Sequence, residues 1–310
     1  MQSKEIVKNK KHWSSKRDDI VFYAVMAALP LVQFFLMYIC VNFNSLLLAF
    51  KNVDPLKEGF LTFDNITTAF TTLTSPEFLQ FGLNSVLMMV LISGIGVCLG
   101  LIFSFYIYKQ YLFSNAFKVI LYLPSIISAV VMAIIFANFV EVAVPAYAAR
   151  YAKTEIKGLI DDKNTVFATV IFYNIWISFG TSVLLYSNNM SAISSEIVEA
   201  AHIDGATSLQ EFWYITLPQV YPVMTTFIIT SVAGIFTNQF QVYTLIPSNV
   251  DNSVKSLGYY LFREAAAMAS SPSDIVYAKL SSMGILLTCI CIPLTFGVRW
   301  IMEKFGPSEE

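Results

Sequence analysis

Six long apolar stretches, separated by polar segments, dominate the hydrophobic pattern of the chain. They run over residues 20–41, 83–108, 116–140, 166–187, 220–246 and 280–301. A helix needs about 20 residues to cross a hydrocarbon core of about 30 Å, so each stretch is long enough to span a bilayer. Each is continuous, whereas the strands of a membrane β-barrel alternate apolar and polar residues over about 10 positions. The pattern predicts an all-α, polytopic membrane protein with about six transmembrane helices.

The composition excludes most soluble proteins. Hydrophobic residues occupy 56% of the 310 positions and charged residues only 13%, against about 25% charged residues in an ordinary soluble domain. A mean hydropathy of +0.63 indicates that the outer surface is apolar as well, so membrane lipid is the expected surrounding. The net charge of −2 gives no general attraction to nucleic acid, and no nucleic-acid partner is expected.

Basic residues predict the orientation of the chain. Six Lys or Arg residues precede the first apolar stretch, whereas only Lys51 and Lys57 follow it, in a segment that also has four acidic residues. Because cytoplasmic segments carry the excess of Lys and Arg, residues 1–19 are predicted to be a retained cytoplasmic tail and not a signal peptide. Six crossings within residues 20–301 then return a second tail, residues 302–310, to the cytoplasm.

The sequence has few of the residue groupings that support catalysis or metal binding. It contains no G-x-x-x-x-G-K-[ST] loop for ATP, no H-E-x-x-H and no G-x-S-x-G motif. Its two histidines and four cysteines lack metal-ligand spacing, and the cysteines lie in apolar runs without a disulfide pattern. We therefore expect no enzyme activity, no metal and no cofactor in this chain. Any energy that it uses must come from another subunit or from a gradient.

Three glycines lie close together in the second apolar stretch. Gly94, Gly96 and Gly100 superficially look like a dinucleotide-binding fingerprint, but the strand and the spacing that this motif requires are missing. Gly96 and Gly100 do have GxxxG spacing, which favours close packing of membrane helices. We therefore predict a helix contact at these two glycines.

The segment between the fourth and fifth stretches, residues 191–218, has an amphipathic pattern. Ile193, Ile197 and Ala201 recur at every fourth position along one stripe, whereas Glu196 and Glu199, three positions apart, fall on a different face. One face can rest on the protein or the membrane while the other stays in water. The pattern predicts a short helix, with a membrane-surface helix as the alternative to a partner-binding one.

Turn and capping residues divide the same segment into two helices. Asp204 and Gly205 suit a helix end, because Gly tolerates the left-handed conformation that closes a helix. Ser208 and Glu211 have capping-box spacing for a second helix. Leu209, Phe212 and Trp213 would form the apolar side of that second helix. Pro218 suits the start of the next span, where its missing N–H matters least, so a helix, a turn and a helix are predicted.

Seven positions of this segment match one spaced motif. The sequence reads E-A-A, three variable residues, G, nine variable residues, then I-x-L-P. This pattern resembles the EAA loop of ABC importer permeases, and the six spans around it resemble the oligosaccharide and polyol permeases of the maltose-transporter class. The resemblance covers most of the chain, with its one sharp motif in residues 191–218, which we call the EAA loop. The matching residues are Glu199, Ala200, Ala201, Gly205, Ile215, Leu217 and Pro218.

The resemblance implies an ABC importer permease fold and a role for the loop residues. In that family the loop forms a coupling helix that sits in a cleft of a cytoplasmic ATPase subunit. Glu199 would contact a basic residue of the ATPase. Ala200 and Ala201 would permit close approach, and Gly205 would form the turn. The residues implied in coupling are Glu199, Ala200, Ala201, Asp204, Gly205, Leu217 and Pro218.

The resemblance also implies partners and a location. The chain would be the transmembrane subunit of an ATP-driven importer in a bacterial plasma membrane, with both termini in the cytoplasm. In a heterodimer with a second permease it would form the path for a sugar or oligosaccharide and work by alternating access. An ABC ATPase dimer would bind ATP and Mg²⁺, and an extracellular solute-binding protein would deliver the solute.

Two positions depart from the family pattern. His202 stands where the family commonly has Arg. Residues 245–249 read Leu-Ile-Pro-Ser-Asn where a Gly-Gly-Pro turn is common. The second departure lies in a predicted external loop, so the resemblance does not predict the docking residues for a solute-binding protein. This second departure lies outside the EAA loop.

Polar side chains within the fourth and fifth stretches are candidates for a solute path. Such groups are costly in hydrocarbon unless they are paired or face a wet cavity. Amides and aromatic faces together suit a neutral polyhydroxylated ligand, because hydroxyls need donors and acceptors while sugar rings stack on aromatics. For each residue alone, hydrogen bonding between helices is an equal alternative. The candidates are Asn174, Trp176, Asn238, Gln239, Phe240, Gln241 and Tyr243, with Tyr173 and Ser178 beside them; Pro124 is a predicted kink.

Two functional classes remain after these observations. The first is the permease subunit of an ATP-driven importer. The alternative is a stand-alone secondary carrier or channel for a small polar solute, which buried ionisable residues or inverted repeats would favour. The spans contain almost no Asp, Glu, Lys or Arg, and we find no repeat. An intramembrane enzyme lacks a supporting group of acid, base, nucleophile or metal ligands.

Overall fold

The computed structural model describes the backbone of residues 2–52, 60–248 and 250–307, and the side chains of these ranges from residue 17 onward. Within them the chain is helical, and the β pairing is limited to one isolated bridge between Lys51 and Leu61. The all-α prediction is therefore confirmed. The α-helices are α1 (Gln2–Gln33), α2 (Val41–Phe50), α3 (Asp64–Leu73), α4 (Pro76–Tyr108), α5 (Ser114–Ile126), α6 (Ala129–Asn138), α7 (Val144–Tyr147), α8 (Val166–Ser191), α9 (Ser195–Ile203), α10 (Ser208–Glu211), α11 (Leu217–Ala233), α12 (Val242–Leu245), α13 (Leu257–Met268) and α14 (Asp274–Phe305).

Short π-helical segments join several of these α-helices into longer runs. They are Phe34–Cys40, Phe139–Ala143, Ala148–Ala152 and Phe212–Thr216. A π-helical turn bonds each N–H to the carbonyl five residues earlier, so the helical path continues through it. In the described part of the chain six runs are long and apolar enough to cross a membrane, as predicted. These runs are Arg17–Phe50, Pro76–Tyr108, Ala129–Ala152, Val166–Ser191, Ser208–Ala233 and Asp274–Phe305.

The third span lies further along the chain than the apolar pattern predicts. The predicted stretch 116–140 is broken after Ile126, where the backbone of Ile127 and Ser128 is extended. Pro124 lies inside α5, and its missing N–H affects the turn before it, so the break does not occur where a proline kink was predicted. The run that starts at Ala129 instead continues through two π-helical segments to Ala152.

The fifth span also departs from the predicted stretch 220–246. Helix α11 ends at Ala233 with Gly234 as its C-cap, and the chain is irregular until α12. Phe240 and Gln241 have φ values of 49° and 54°, in the left-handed region. Left-handed residues cannot continue a right-handed helix, so residues 234–241 form an unwound segment. Four predicted path residues of this span lie on it, and the fifth, Tyr243, lies in α12.

The chain forms two compact units. The first contains the described residues up to Ala69 together with Asp274–Ile285. The second contains Phe70–Ser273 together with the described residues from Leu286 onward. The second unit includes the EAA loop and all the predicted path residues, so the candidate sites lie within one unit.

The first unit is built around the end of the first helical run. The Asn65 side chain donates to the carbonyl oxygens of Ala49 at 3.2 Å and Lys51 at 2.8 Å, and the Ser282 hydroxyl also donates to Ala49. The apolar window of this run has no buried residue, and Leu29 is 76% exposed. An apolar helix exposed on all sides requires lipid around it. Helix α1 already begins at Gln2, so the helix is continuous across the predicted boundary at residue 19.

The main core of the second unit packs α4, α6 and α8 against the unwound segment. The ring centroids of Phe136 and Tyr173 lie 4.9 Å apart, and Phe240 is buried in the same cluster. Packing of this kind holds the segment after α11 against the first half of α8. The buried members of this cluster include Met88, Met132, Phe136, Val170, Tyr173, Phe240, Val242 and Tyr259.

Candidate functional site

The EAA loop has the predicted helix, turn and helix. Helix α9 ends at Ile203, and Gly205 follows in the left-handed region with φ +84°. The Ala206 N–H donates to the Ala201 carbonyl at 2.9 Å and the Gly205 N–H to the His202 carbonyl at 3.1 Å. These two bonds form a Schellman motif that pairs the last carbonyls of α9. No heavy atom lies within 4 Å of the Cβ position of Gly205, so backbone conformation and not space requires Gly there.

We expect Gly205→Ala to loosen this turn. A left-handed non-glycine residue costs about 1–2 kcal/mol, which is roughly a five- to thirtyfold shift in the population of the closed turn. In the variant, the backbone N–H groups at positions 205 and 206 should then exchange with deuterium faster by about that factor. Gly297→Ala in α14, where no atom approaches the new Cβ, should leave local exchange unchanged. If these two N–H groups exchanged at the wild-type rate in Gly205→Ala, the expectation would be contradicted.

The capping box begins one residue earlier than predicted. Thr207 is the N-cap of α10, and its hydroxyl oxygen accepts from the Gln210 N–H at 3.4 Å. The Gln210 side chain in turn accepts from the Thr207 N–H at 2.8 Å. The prediction of a Ser208 and Glu211 box is therefore wrong. Glu211 does not turn back to the helix start because its carboxylate has other partners.

The Glu211 carboxylate is fully buried between two basic side chains. Lys109 Nζ donates to both oxygens, at 3.1 and 2.8 Å, and His202 Nε2 lies 2.8 Å from Oε2. Lys109 follows the last residue of α4, where a positive charge also suits the helix C-terminus. Sequence reasoning missed this cluster. Lys109 and Glu211 are 102 residues apart in the sequence, so no local spacing indicates their contact.

The predicted coupling residues divide into two groups. Glu199, Ala200, Asp204 and Gly205 are exposed, and Ala201 is half-buried, so this part of the loop is open to a partner. The other two, Leu217 and Pro218, are half-buried in the first turn of α11.

Pro218 lies in the first turn of α11, as predicted, but the helical path does not begin there. The chain is already helical from Ser208, and the π-helical segment Phe212–Thr216 directly precedes α11. Pro has no N–H for the usual α-helical bond, and a π-helical segment is a common way to accommodate such an interruption. The helix therefore continues through Pro218 where the sequence predicted a beginning.

Apolar side chains on the EAA loop remain exposed. Of the three residues predicted to form the apolar side of the second helix, Phe212 packs inward, with its ring 5.1 Å from that of Phe105. Leu209 and Trp213 instead face outward. Large exposed apolar side chains clustered in one loop are typical of a protein or membrane contact. The exposed fractions are 86% for Ile203, 73% for Leu209, 59% for Trp213 and 80% for Tyr214.

A shallow depression lies beside these exposed residues. It has a volume of about 350 Å³ and joins the turn after α9 to the π-helical segment. Two predicted coupling residues, Asp204 and Gly205, border it. Its lining residues are Ala201, Asp204, Gly205, Ala206, Gln210, Tyr214 and Ile215. The exposed part of the loop is therefore concave as well as apolar.

A second, polar cavity of about 380 Å³ lies between α4, α8, α11 and the unwound segment. Among the described residues no charged side chain lines it. The structure places four of the seven predicted path residues here, together with Ser178. The polar and aromatic lining residues are Ser93, Asn174, Ser178, Thr181, Ser182, Tyr186, Phe227, Ser231, Asn238, Phe240 and Gln241.

Asn174 fixes the unwound segment at the edge of the polar cavity. Its side-chain amide donates to the carbonyl oxygens of Val170 and Phe240, both at 2.8 Å. Asn238 Oδ1 accepts from the Phe240 N–H at 2.8 Å, which holds the turn from within. Asn174 therefore makes a structural hydrogen bond to a neighbouring segment, similar to the predicted alternative of a bond between helices, and it borders the cavity as well.

Three predicted path residues do not line the polar cavity. Trp176 packs in the core, with its ring 5.9 Å from that of Phe136. Gln239 has a buried side-chain oxygen without a partner in the described structure. Tyr243 packs edge-on against Phe262 at 5.1 Å. Trp176 lies on the regular helix α8, whereas the unwound backbone directs Gln239 and Tyr243 away from the positions that a continuous helix would give them.

Small hydroxyl residues of the cavity wall were missed by the sequence reasoning. Thr181 and Ser182 follow Ser178 at three and four positions, which places them on one face of α8. That spacing was visible in the sequence. The predicted glycine contact is half correct: a Cβ at Gly100 would lie 3.3 Å from the Tyr186 ring, whereas Gly96 has open space and borders the cavity.

No metal site is apparent in the part of the chain that the structure describes. No group of three or more His, Cys, Asp or Glu side chains lies close enough there to hold an ion. The four cysteines, Cys40, Cys98, Cys289 and Cys291, are free thiols. The two candidate sites are therefore built from hydrogen-bonding and apolar groups and one buried ionic cluster.

Comparison with known proteins links these features to one family. The family model for the binding-protein-dependent transport system inner membrane component matches residues 92–309. The multiple sugar-binding transport system permease protein MsmF of Streptococcus mutans is 26% identical over 76% of this chain and 81% of its own length. The arabinooligosaccharides transport system permease protein AraP of Bacillus subtilis is 27% identical over 88% of each chain.

A solved structure shares the fold. A chain of a bacterial ABC transporter involved in the import of the acidic polysaccharide alginate superposes with a TM-score of 0.76, over 95% of this chain and 99% of its own length. The two sequences are 20% identical, so this likeness concerns the fold.

The family match spans most of the chain and includes both candidate sites. Residues 92–309 contain the EAA loop and all seven predicted path residues. In this family the permease is separate from the ATPase subunit, so the chain is a permease subunit of an ABC importer and not an enzyme. This multi-pass membrane protein belongs to the family of binding-protein-dependent transport system inner membrane components.

Proposed function

We propose that this chain forms, with a second permease, the path for a neutral sugar or oligosaccharide. The observation that supports this most is the polar cavity, which has amide and hydroxyl groups, three aromatic rings and several aliphatic side chains but no charged side chain among the described residues. Such a lining hydrogen-bonds hydroxyl groups without needing a charged ligand. Its volume of about 380 Å³ is at the lower end of ligand sites, about 300–1,000 Å³, as expected if a second permease supplies the rest.

The printed names of the relatives support the solute class. MsmF is named for multiple sugars and AraP for arabinooligosaccharides. The structural relative imports an acidic polysaccharide. The uncharged lining of this cavity favours neutral sugars and oligosaccharides over an acidic polysaccharide. We therefore propose neutral saccharides as cargo.

The proposed energy source is an ABC ATPase dimer that binds ATP and Mg²⁺ and contacts the EAA loop. The exposed Glu199 supplies an acidic contact, and Ile203 and Tyr214 supply apolar ones. Closure of the ATPase pair would draw the two loops of the permease pair together and open the path outward. An extracellular solute-binding protein would then release its solute into the path. A bacterial plasma membrane with both termini in the cytoplasm is the matching location.

Reconstitution in liposomes tests this proposal against a stand-alone carrier. We expect ATP-dependent uptake of a labelled neutral oligosaccharide only when the chain is combined with its second permease, the ATPase dimer and the binding protein. The chain alone should give background uptake in the presence or absence of ATP. Uptake by the chain alone would establish the carrier instead.

The same liposomes test the solute class. An excess of unlabelled neutral oligosaccharide should suppress the uptake of labelled oligosaccharide, whereas an equal excess of an oligouronate of the same length should not. Equal suppression by the oligouronate would contradict a path selected for neutral solutes.

A further inference from the structure

The buried cluster around Glu211 joins three separate elements of the cytoplasmic side. Glu211 ends α10, His202 is in the last turn of α9, and Lys109 follows α4. The Glu211 side chain has no exposed surface and that of Lys109 is only 16% exposed. A buried carboxylate is stable only while its partners stay in place, so the cluster fixes the positions of the three elements.

Two further contacts follow the same line between α4 and the EAA loop. The rings of Phe105 and Phe212 pack at 5.1 Å. The Tyr111 hydroxyl lies 3.5 Å from the Ser208 hydroxyl. The second span and the second half of the EAA loop therefore share an ionic, an aromatic and a polar contact.

Helix α9 itself is connected to its neighbours by turns. Residues 192–194 separate it from α8, and the left-handed Gly205 separates it from α10. Turns of this kind are where small rotations of a helix are absorbed. The contact between His202 and Glu211 crosses the second turn directly, and the contact between Glu211 and Lys109 continues it to α4.

We propose that Glu211 is a positioning residue that makes α9 and the cytoplasmic end of α4 move as one body. A displacement of α9 then reaches the second span through Lys109, as well as the fifth span through the chain itself. This inference rests on the proposed contact between the EAA loop and an ATPase. Glu211 touches neither the ATPase nor the solute; it transmits movement between groups that do.

The test measures the number of solute molecules taken up per ATP hydrolysed by the assembled importer in liposomes. Lys109→Gln should lower this ratio at least fivefold, while the ATPase subunits still co-purify, because Lys109 is not on the exposed surface of α9. Lys109→Arg keeps the charge and the hydrogen bonds, and should retain at least half of the wild-type ratio.

A neutral pair separates positioning from simple stability. Lys109→Met combined with Glu211→Gln leaves no unpaired buried charge, so the protein should insert and assemble even where Lys109→Gln does not. Under the proposal, the number of solute molecules that this double variant takes up per ATP stays at least fivefold below wild type, because the ionic connection between α9 and α4 is lost. A wild-type ratio in the neutral pair would overturn the proposal, as would loss of the ATPase subunits from it.

The outcome is also distinct from failure of the proposed function. If the wild-type assembly shows no ATP-dependent uptake, the proposed function is wrong. If the wild type couples uptake to hydrolysis and the neutral pair does so equally well, only the positioning role of Glu211 is wrong.

Discussion

Glu199→Lys is expected to lower ATP-driven uptake by at least tenfold while the chain still inserts in the membrane. Glu199 is exposed on α9, so the substitution changes no internal contact of the described structure. At a partner surface of opposite charge, reversal places two like charges together, and the loss of a close charge pair costs about 2–5 kcal/mol. The measurement is uptake into liposomes together with the amount of ATPase subunit that co-purifies.

Glu196→Lys is the matched control. Glu196 lies one turn earlier on the same helix, is also exposed, and is outside the EAA motif. It is in the first turn, where a positive charge costs about 0.3–1 kcal/mol against the helix dipole, so the control carries the larger local penalty. Uptake should nevertheless stay within about twofold of wild type. Normal uptake and normal ATPase association in Glu199→Lys would remove the proposed role of this residue.

Gly258→Ala is expected to disturb the polar cavity from a distance. A Cβ at Gly258 would lie 2.5 Å from the carbonyl carbon of Asn238 and 2.7 Å from that of Thr237, which are backbone atoms that cannot rotate away. The unwound segment must therefore shift. Overpacking of this kind costs about 1–3 kcal/mol. We expect a lower thermal midpoint of the purified chain and at least fivefold lower uptake.

Gly82→Ala is the control for this substitution. Gly82 is in α4, and a Cβ there would lie 3.7 Å from a Leu257 methyl carbon, an ordinary contact. Ala also favours a helix interior over Gly, so stability should be unchanged or slightly higher. If the two variants behaved alike, the close approach at Gly258 would not position the cavity.

The membrane architecture could be predicted because it depends on runs of apolar residues. Each of the six spans corresponds to such a run. The boundaries depend on backbone hydrogen bonds that hydropathy does not report. The extended backbone at Ile127 interrupts apolar sequence without changing its character, and the left-handed residues Phe240 and Gln241 interrupt a stretch whose polar residues are equally compatible with a helix.

The candidate sites were predicted as far as local spacing determines them. Gly205 occupies the left-handed turn that the motif indicates. Glu211 was assigned to a capping box because only its near neighbours were visible, whereas its true partner Lys109 follows a different span. The path residues of the fifth stretch were predicted to be helical, but they lie on an unwound segment that a hydrogen bond from Asn174 of α8 holds in place.

The unwound segment between Gly234 and Gln241 also bears on how the resting importer insulates the cell. It lies beside Asn174 in the first half of a membrane-spanning helix, and backbone outside a helix is tolerated at that depth only where protein or water covers it. Protein must therefore cover this segment, and the buried ring of Phe240 and the Asn174 amide are among the groups that do so. A seal against ion leakage at this level would consist of packed side chains and not of lipid.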